Sequence, residues 1–288
     1  HENWSVSKTL EYAYDDWCIA QFARALGKEQ DYQVFYKRSE NWRNVYDEQS
    51  TFMRPRGKDG SFISPFVAKE YSPYFCESNG WHYFWAVPQN IEGLRDVLDA
   101  DRFEMKLDSM FSYDPLPEDE LPIFSTGMIG QYAHGNEPSH HVAYLYNFLD
   151  KPWKSQKLIR EILETQYRNE PAGHCGNEDC GQMSSWYIFS ALGFYPVNPA
   201  QGAYIIGAPL FEKAVIQLEN GKKFEIVCEN FGEDKPYVAS MNLNGVEFSR
   251  SYLTHKEILD GGRLIFSMSD QPVKNVEWSP ASSSTIYN

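Results

Sequence analysis

The chain lacks any apolar run close to the roughly 20 residues that a membrane-spanning helix needs, so no membrane span is expected. Charge is sparse: 23% of the 288 residues are charged, against 42% apolar and 16% aromatic, and that balance excludes intrinsic disorder. Basic residues are the scarcer sign, with 26 Lys and Arg against 40 Asp and Glu and a net charge of −14. Phosphate contacts dominate nucleic-acid affinity, so DNA and RNA are poor partners for such a surface, whereas cations and neutral sugars suit it. The five cysteines are odd in number and scattered, which is no disulfide framework; Cys175 and Cys180 flank a polar turn and form the one candidate pair. No CxxC pair is present, which argues against a structural zinc site. A GxSxG elbow, a P-loop and a dinucleotide fingerprint are all missing, so acyl, phosphoryl and hydride transfer have no support. What the chain does have is rings: 19 Tyr, 18 Phe and 8 Trp, enough to fill a core or to line a sugar pocket.

Apolar spacing predicts a helix over 5–27, where Leu10, Tyr14, Trp17 and Ala20 run into Ala23 and Gly27 supplies the stop. A second helix is expected over 29–47, then a Pro- and Gly-bearing loop. Further helices are expected over 80–87, 91–99, 102–111, 139–149, 152–167 and 181–192, with an acidic, Pro-rich loop over 113–123. This rhythm is an array of helical hairpins. After Tyr195 the pattern changes to short strand-like runs over 203–206, 214–218, 224–228, 237–243 and 264–268, punctuated by Asn220-Gly221 and Asn244-Gly245. The expected organisation is mainly α: a helical region over 1–197, followed by a small antiparallel β-module over 198–288.

Three polar clusters stand where helices are about to begin. In 74–83, Glu77 is surrounded in sequence by aromatic residues. Crowding by rings favours the neutral form of a carboxyl and would make it a general acid; the plainer role is a helix-start carboxylate bonded to backbone N–H groups. In 134–141, Asn136 and Glu137 precede a Pro-started helix and offer hard oxygens of the kind Ca²⁺ takes. The histidines there lack HExxH spacing, and hydrogen bonding to sugar hydroxyls is their gentler use. In 173–182, Glu178 and Asp179 precede a helix. The helix dipole alone accounts for acids at that point, and a carboxylate kept ionised there also suits a general base that activates water. The EF-hand spacing is absent. A carboxyl suited to be an acid together with a carboxylate suited to be a base is the constellation of glycoside hydrolysis.

At these segments the sequence resembles the family 92 glycoside hydrolases, calcium-dependent exo-acting α-mannosidases that invert the anomeric centre. The resemblance runs through SVSKTLEYAYDDW at 5–17, FMRPR at 52–56, ESN at 77–79 ahead of Trp81, HGNEPSHH at 134–141 and YIIGAPLF at 204–211. It is strongest in GNEDCGQMSSWYIFSALGFYP at 176–196. It implies Glu77 as general acid and Asp179 as general base, with Asn177 where many members have a second Asp. It implies Asn136 and Glu137 as calcium ligands, and Trp81, His82, His141 and Asn177 as pocket residues. It further implies that the helical hairpins are part of an incomplete (α/α)6 barrel, ahead of which family members carry an N-terminal β-sandwich. The substrates implied are terminal α-mannosides of N-glycans or mannans, met in the periplasm or outside the cell. The competing readings are a toroidal glycosidase or phosphorylase acting on α-glucosides, and a carbohydrate-binding or inactive fragment.

Overall fold

The computed structural model describes residues 2–274 and 278–286, and these gather into two compact units, His1–Ser139 and His140–Asn288. In the first unit, α1 (Ser5–Ala25) buries Val6, Leu10, Ala13, Trp17, Ala20 and Ala23, the i, i+3, i+4 stripe of an amphipathic helix. α2 (Glu29–Arg38) returns against it and buries none of its own residues; Arg38 Nε instead reaches Asp16 Oδ2 at 2.9 Å. The expected helix over 29–47 stops early. Its continuation tightens to 3₁₀ over Ser39–Asn44, and the chain then turns into a hairpin of β1 (Tyr46–Asp47) and β2 (Phe52–Met53). Asp47 causes the turn: its carboxylate accepts from the N–H groups of Gln49 and Ser50, offering the backbone partners outside a helix.

α3 (Gly80–Tyr83) is a single turn rather than a helix through Val87, because the chain tightens ahead of Pro88. α4 (Ile91–Leu98) and α5 (Ala100–Ser112) start on Asn90 and Asp99, whose side chains accept from Gly93 N and Arg102 N. A second hairpin, β3 (Met128–Ile129) and β4 (Tyr132–Ala133), turns on Gly130 at φ +60°. Trp42, Phe84, Trp85, Phe103 and Tyr132 are fully buried. Trp85 meets Phe84 and Phe103 edge to face, at 4.8 and 5.2 Å between centroids.

The second unit begins with a 3₁₀ stretch, Val142–Leu149, where an α-helix was expected. α6 (Pro152–Thr165) and α7 (Gln182–Leu192) follow, and then strands. β5 (Phe194–Tyr195), β6 (Ala203–Ile206) and β11 (Tyr252–Thr254) make a three-stranded sheet in the order β11-β6-β5. β7 (Lys213–Gln217), β8 (Lys223–Glu229), β9 (Tyr237–Leu243), β10 (Val246–Glu247) and β12 (Gly262–Ser269) make a five-stranded sheet in the order β10-β9-β12-β8-β7. The β-module is therefore mixed rather than antiparallel, since β12 runs parallel to β8. The intervening chain, with α8 (His255–Asp260) just ahead of β12, brings it back to the end where β8 began; parallel pairing needs such a crossover. Phe224, Ile226, Leu264, Phe266, Val238 and Met241 form the core of this unit. Helix gives way to strand at Phe194, whereas the compact units divide at Ser139; β5 pairs with β6, and Gln156 of α6 accepts from Val238 N, so α6, α7 and the sheets form one body. Among the described residues no helix is long and apolar enough to cross a membrane.

Candidate functional site

Glu77 sits on a left-handed turn, φ +48°, between two anchored stretches. On one side Cys76 N donates to Ser7 Oγ at 2.8 Å. On the other, Asn79 Oδ1 accepts from Trp81 N and His82 N and so starts α3. The Glu77 carbonyl accepts from Asn136 Nδ2 at 2.7 Å, which joins the first polar cluster to the second. A left-handed conformation costs an L-residue about 1–2 kcal/mol, and these bonds hold it in place. The carboxylate is exposed, while Phe75, Trp81 and Tyr83 turn into the core. The expected crowding of Glu77 by the rings of its own segment is not found: Glu77 is exposed, while Phe75, Trp81, His82 and Tyr83 beside it in sequence are buried.

His82 is buried, its Nδ1 2.7 Å from Ser78 Oγ, and burial pushes its pKa down to about 4, so the imidazole is neutral. Trp81 packs edge-on against Phe52 and Tyr113, at 5.0 and 5.5 Å. Beside it lies a feature that spacing did not announce. Lys106 occupies the buried stripe of α5 with Phe103, Leu107 and Met110. Its Nζ lies 3.3 Å from the Phe52 ring centroid, 4.4 Å from that of Phe84 and 5.1 Å from that of Trp81, and among the described residues no carboxylate pairs with it. Burial pushes its pKa down to about 7.

Asn136 is buried and Glu137 half-buried, on a 3₁₀ turn after β4. Among the described residues no group of three His, Cys, Asp or Glu side chains is placed to hold a metal ion. The donors present do fit a hard cation in kind: the Asn136 amide nitrogen is spent on Glu77, which leaves its oxygen end, and Glu137 adds a carboxylate.

In the second unit, the end of the second cluster meets the third. His141 is buried, and its carbonyl accepts from Tyr144 N. Gln182 Nε2 lies 3.0 Å from His140 Nδ1, and the Trp186 indole donates to the His140 carbonyl at 2.9 Å. The loop before α7 is pinned where Cys175 N donates to Gln166 O. It then runs through consecutive left-handed residues, Asp179, Cys180 and Gly181, at φ +50°, +57° and +94°. Asn177 and Asp179 are exposed. Both cysteines of the candidate disulfide are free, and burial pushes the Cys175 thiol up to about 11.

Glu178 fills the helix-start role that the sequence offered to it and Asp179 alike, through a partner that spacing did not identify. α7 starts on Gly181, which has no side chain to cap it. Glu178 does the capping from six residues upstream, accepting from Ser184 N at 3.0 Å and Ser184 Oγ at 2.8 Å, with His174 Nε2 3.2 Å away. The Ser184 hydrogen bonds hold its carboxyl below the usual carboxylate range. Its offset to Ser184 lies outside the capping-box spacing; a Gly at the cap position was the available signal.

Residues 1–270 match the model of the glycosyl hydrolase family 92 catalytic domain. A protein of Arthroderma benhamiae described as an uncharacterized secreted glycosidase is 28% identical, over 93% of this chain and 36% of its own length. A family 92 α-mannosidase of Bacteroides thetaiotaomicron, solved in complex with mannoimidazole, is 42% identical with a TM-score of 0.93, over 96% of this chain and 38% of that one. A family 92 inverting mannosidase of the same organism is 39% identical with a TM-score of 0.88, over 98% and 39%. The chain thus spans well under half the length of these relatives, and with nearly all of it inside the match, it belongs to glycosyl hydrolase family 92.

Proposed function

We propose that this chain contributes the catalytic carboxylates of an exo-acting, inverting, calcium-dependent α-mannosidase that removes terminal α-mannose from N-glycans or mannans. What supports the reading is that Glu77 and Asp179 each stand on an exposed left-handed turn held by hydrogen bonds, in a chain of family 92. Glu77 protonates the departing glycosidic oxygen, and Asp179 accepts a proton from the attacking water. Inversion by single displacement asks for two carboxyls roughly 6.5–9.5 Å apart, with the water between the base and the sugar. Asn136 holds the Glu77 backbone and, with Glu137, offers oxygen to calcium; when bound, the ion supplies Lewis-acid polarisation of sugar hydroxyls. On this reading Trp81 and His82 of the first unit, and His141 and Asn177 of the second, each serve sugar binding. The full fold on this reading is an (α/α)6 barrel completed by chain outside these residues, together with an N-terminal β-sandwich. The compartment is periplasmic or extracellular, in keeping with the fungal relative described as secreted.

The test uses the complete protein and an activated aryl α-mannoside, with the aryl α-glucoside as control. Glu77→Gln and Asp179→Asn should each lower turnover by about 10²–10⁴-fold. Proton NMR should show β-mannose as the first product, a chelator should abolish turnover, and calcium should restore it. Unchanged turnover in either variant, α-mannose as first product, or preference for the glucoside overturns the reading.

A further inference from the structure

Resting on the assignment of Asp179 as base, we propose that Glu178 is its positioning residue: clamped between Ser184 and His174, it fixes the backbone that aims the Asp179 carboxylate. Asp179, Cys180 and Gly181 form an unbroken left-handed run, and two of the three carry a Cβ. Such a run persists only where the surroundings over-determine it. The main chain supplies two restraints, Gln182 N to Asp179 O and Met183 N to Glu178 O, both at 3.2 Å. Side chains restrain it on both sides: after the run Gln182 Nε2 lies 3.0 Å from His140 Nδ1, and before it Glu178 occupies both of its oxygens, Oε1 taking Ser184 N and Oε2 taking the Ser184 hydroxyl within reach of His174 Nε2. α7 begins on a glycine, so no second side chain at the cap position substitutes for Glu178 when it is removed. His174 is itself placed by the bridge between Tyr167 and His174 that closes the base of the loop. With the carboxylate gone, the first turn of α7 loses its cap and the three left-handed residues relax toward commoner backbone shapes. Asp179, which has no side-chain restraint of its own among the described hydrogen bonds, moves with them.

A plain helix cap would lose melting temperature and keep its turnover number; a positioning residue loses kcat at constant KM. The experiment is a double-mutant cycle in the complete protein with an activated aryl α-mannoside. Glu178→Ala should lower kcat by about 10²-fold, the scale of an ångström-sized misplacement, with KM within about twofold. In an Asp179→Asn background the same substitution should change kcat by less than about threefold, because the group it positions is already lost. Ser184→Ala, which removes only the hydroxyl contact, should give a smaller loss of the same kind, and it serves alone if Glu178→Ala does not fold. Unchanged kcat in folded Glu178→Ala, or an equal drop in the Asp179→Asn background, refutes the positioning role. Full turnover in Asp179→Asn alone refutes the base assignment instead, and the two failures are read from different arms of the cycle.

Discussion

Replacing Lys106 by Met separates two opposing effects on a buried cation. The side chain is 8% exposed, with its ammonium over three rings and no carboxylate paired with it among the described residues. Burial takes its pKa from 10.5 to about 7. At ~1.4 kcal/mol per pH unit, the protonated form below pH 7 bears a penalty on the order of 5 kcal/mol. The rings favour the cation by about 2 kcal/mol when it is desolvated, so desolvation wins. The native state releases the proton near pH 7, whereas the unfolded chain keeps it to about pH 10.4. Over that interval the unfolded state binds more protons, and wild-type stability rises with pH relative to Lys106→Met, which has nothing to titrate and fills the site with a flexible apolar chain. Between pH 7 and 9 the difference between the two proteins should change by about 1–3 kcal/mol in favour of wild type, the ring attraction lowering it from the upper end. In urea followed by tryptophan emission that is a relative midpoint shift of about 1 M. Below pH 7 the Met variant should be the more stable protein. Parallel stability profiles across pH 7–9 would mean that the rings keep the ammonium charged and that the desolvation argument is wrong.

Gly130→Ala should cost about 2 kcal/mol or more, because φ is +60° and a Cβ would stand 2.5 Å from the Met110 carbonyl oxygen; a wild-type melting curve would contradict this. Asp47→Ala should cost about 3 kcal/mol at neutral pH by stranding Arg54, whose Nη1 lies 2.7 Å from the carboxylate. Burial works against the Asp47 charge, but bonds from Ser50, Arg54 and Gln49 outweigh it and hold the pKa low. Its contribution should therefore vanish only as pH falls through that lowered value, and a penalty independent of pH would refute the linkage. The isolated 288-residue chain should hydrolyse aryl α-mannoside far more slowly than the complete protein, and equal rates would show that the relatives' additional chain is dispensable.

Local rules read much of the fold. The strands at 203–206 and 237–243 stand where alternation puts them, and Asn244-Gly245, at φ +56° and +86°, forms the two-residue turn of the β9–β10 hairpin. α1 follows its apolar stripe. Other features escaped for identifiable reasons. Val142–Leu149 is apolar almost throughout and nearly all buried, so no periodicity distinguishes a 3₁₀ from an α winding. The parallel pairing of β12 with β8 is a long-range choice that alternation within either strand does not encode. Near the site, the chain motif marked the segments but not the directions of side chains. Rings counted around Glu77 in sequence turn inward, and Glu178, an acid beside the candidate base, spends its carboxylate on α7.

Strand order has a consequence for how the second unit is made. β12, the last strand of the five to be synthesised, is the central one, flanked by β9 and β8. Until residues 262–269 emerge from the ribosome, β8 and β9 have no neighbour in common, and each presents an open edge able to recruit a foreign strand. A stop codon or protease cut just before Gly262 would remove the strand that joins both halves, leaving a sheet prone to aggregation rather than a slightly shortened one.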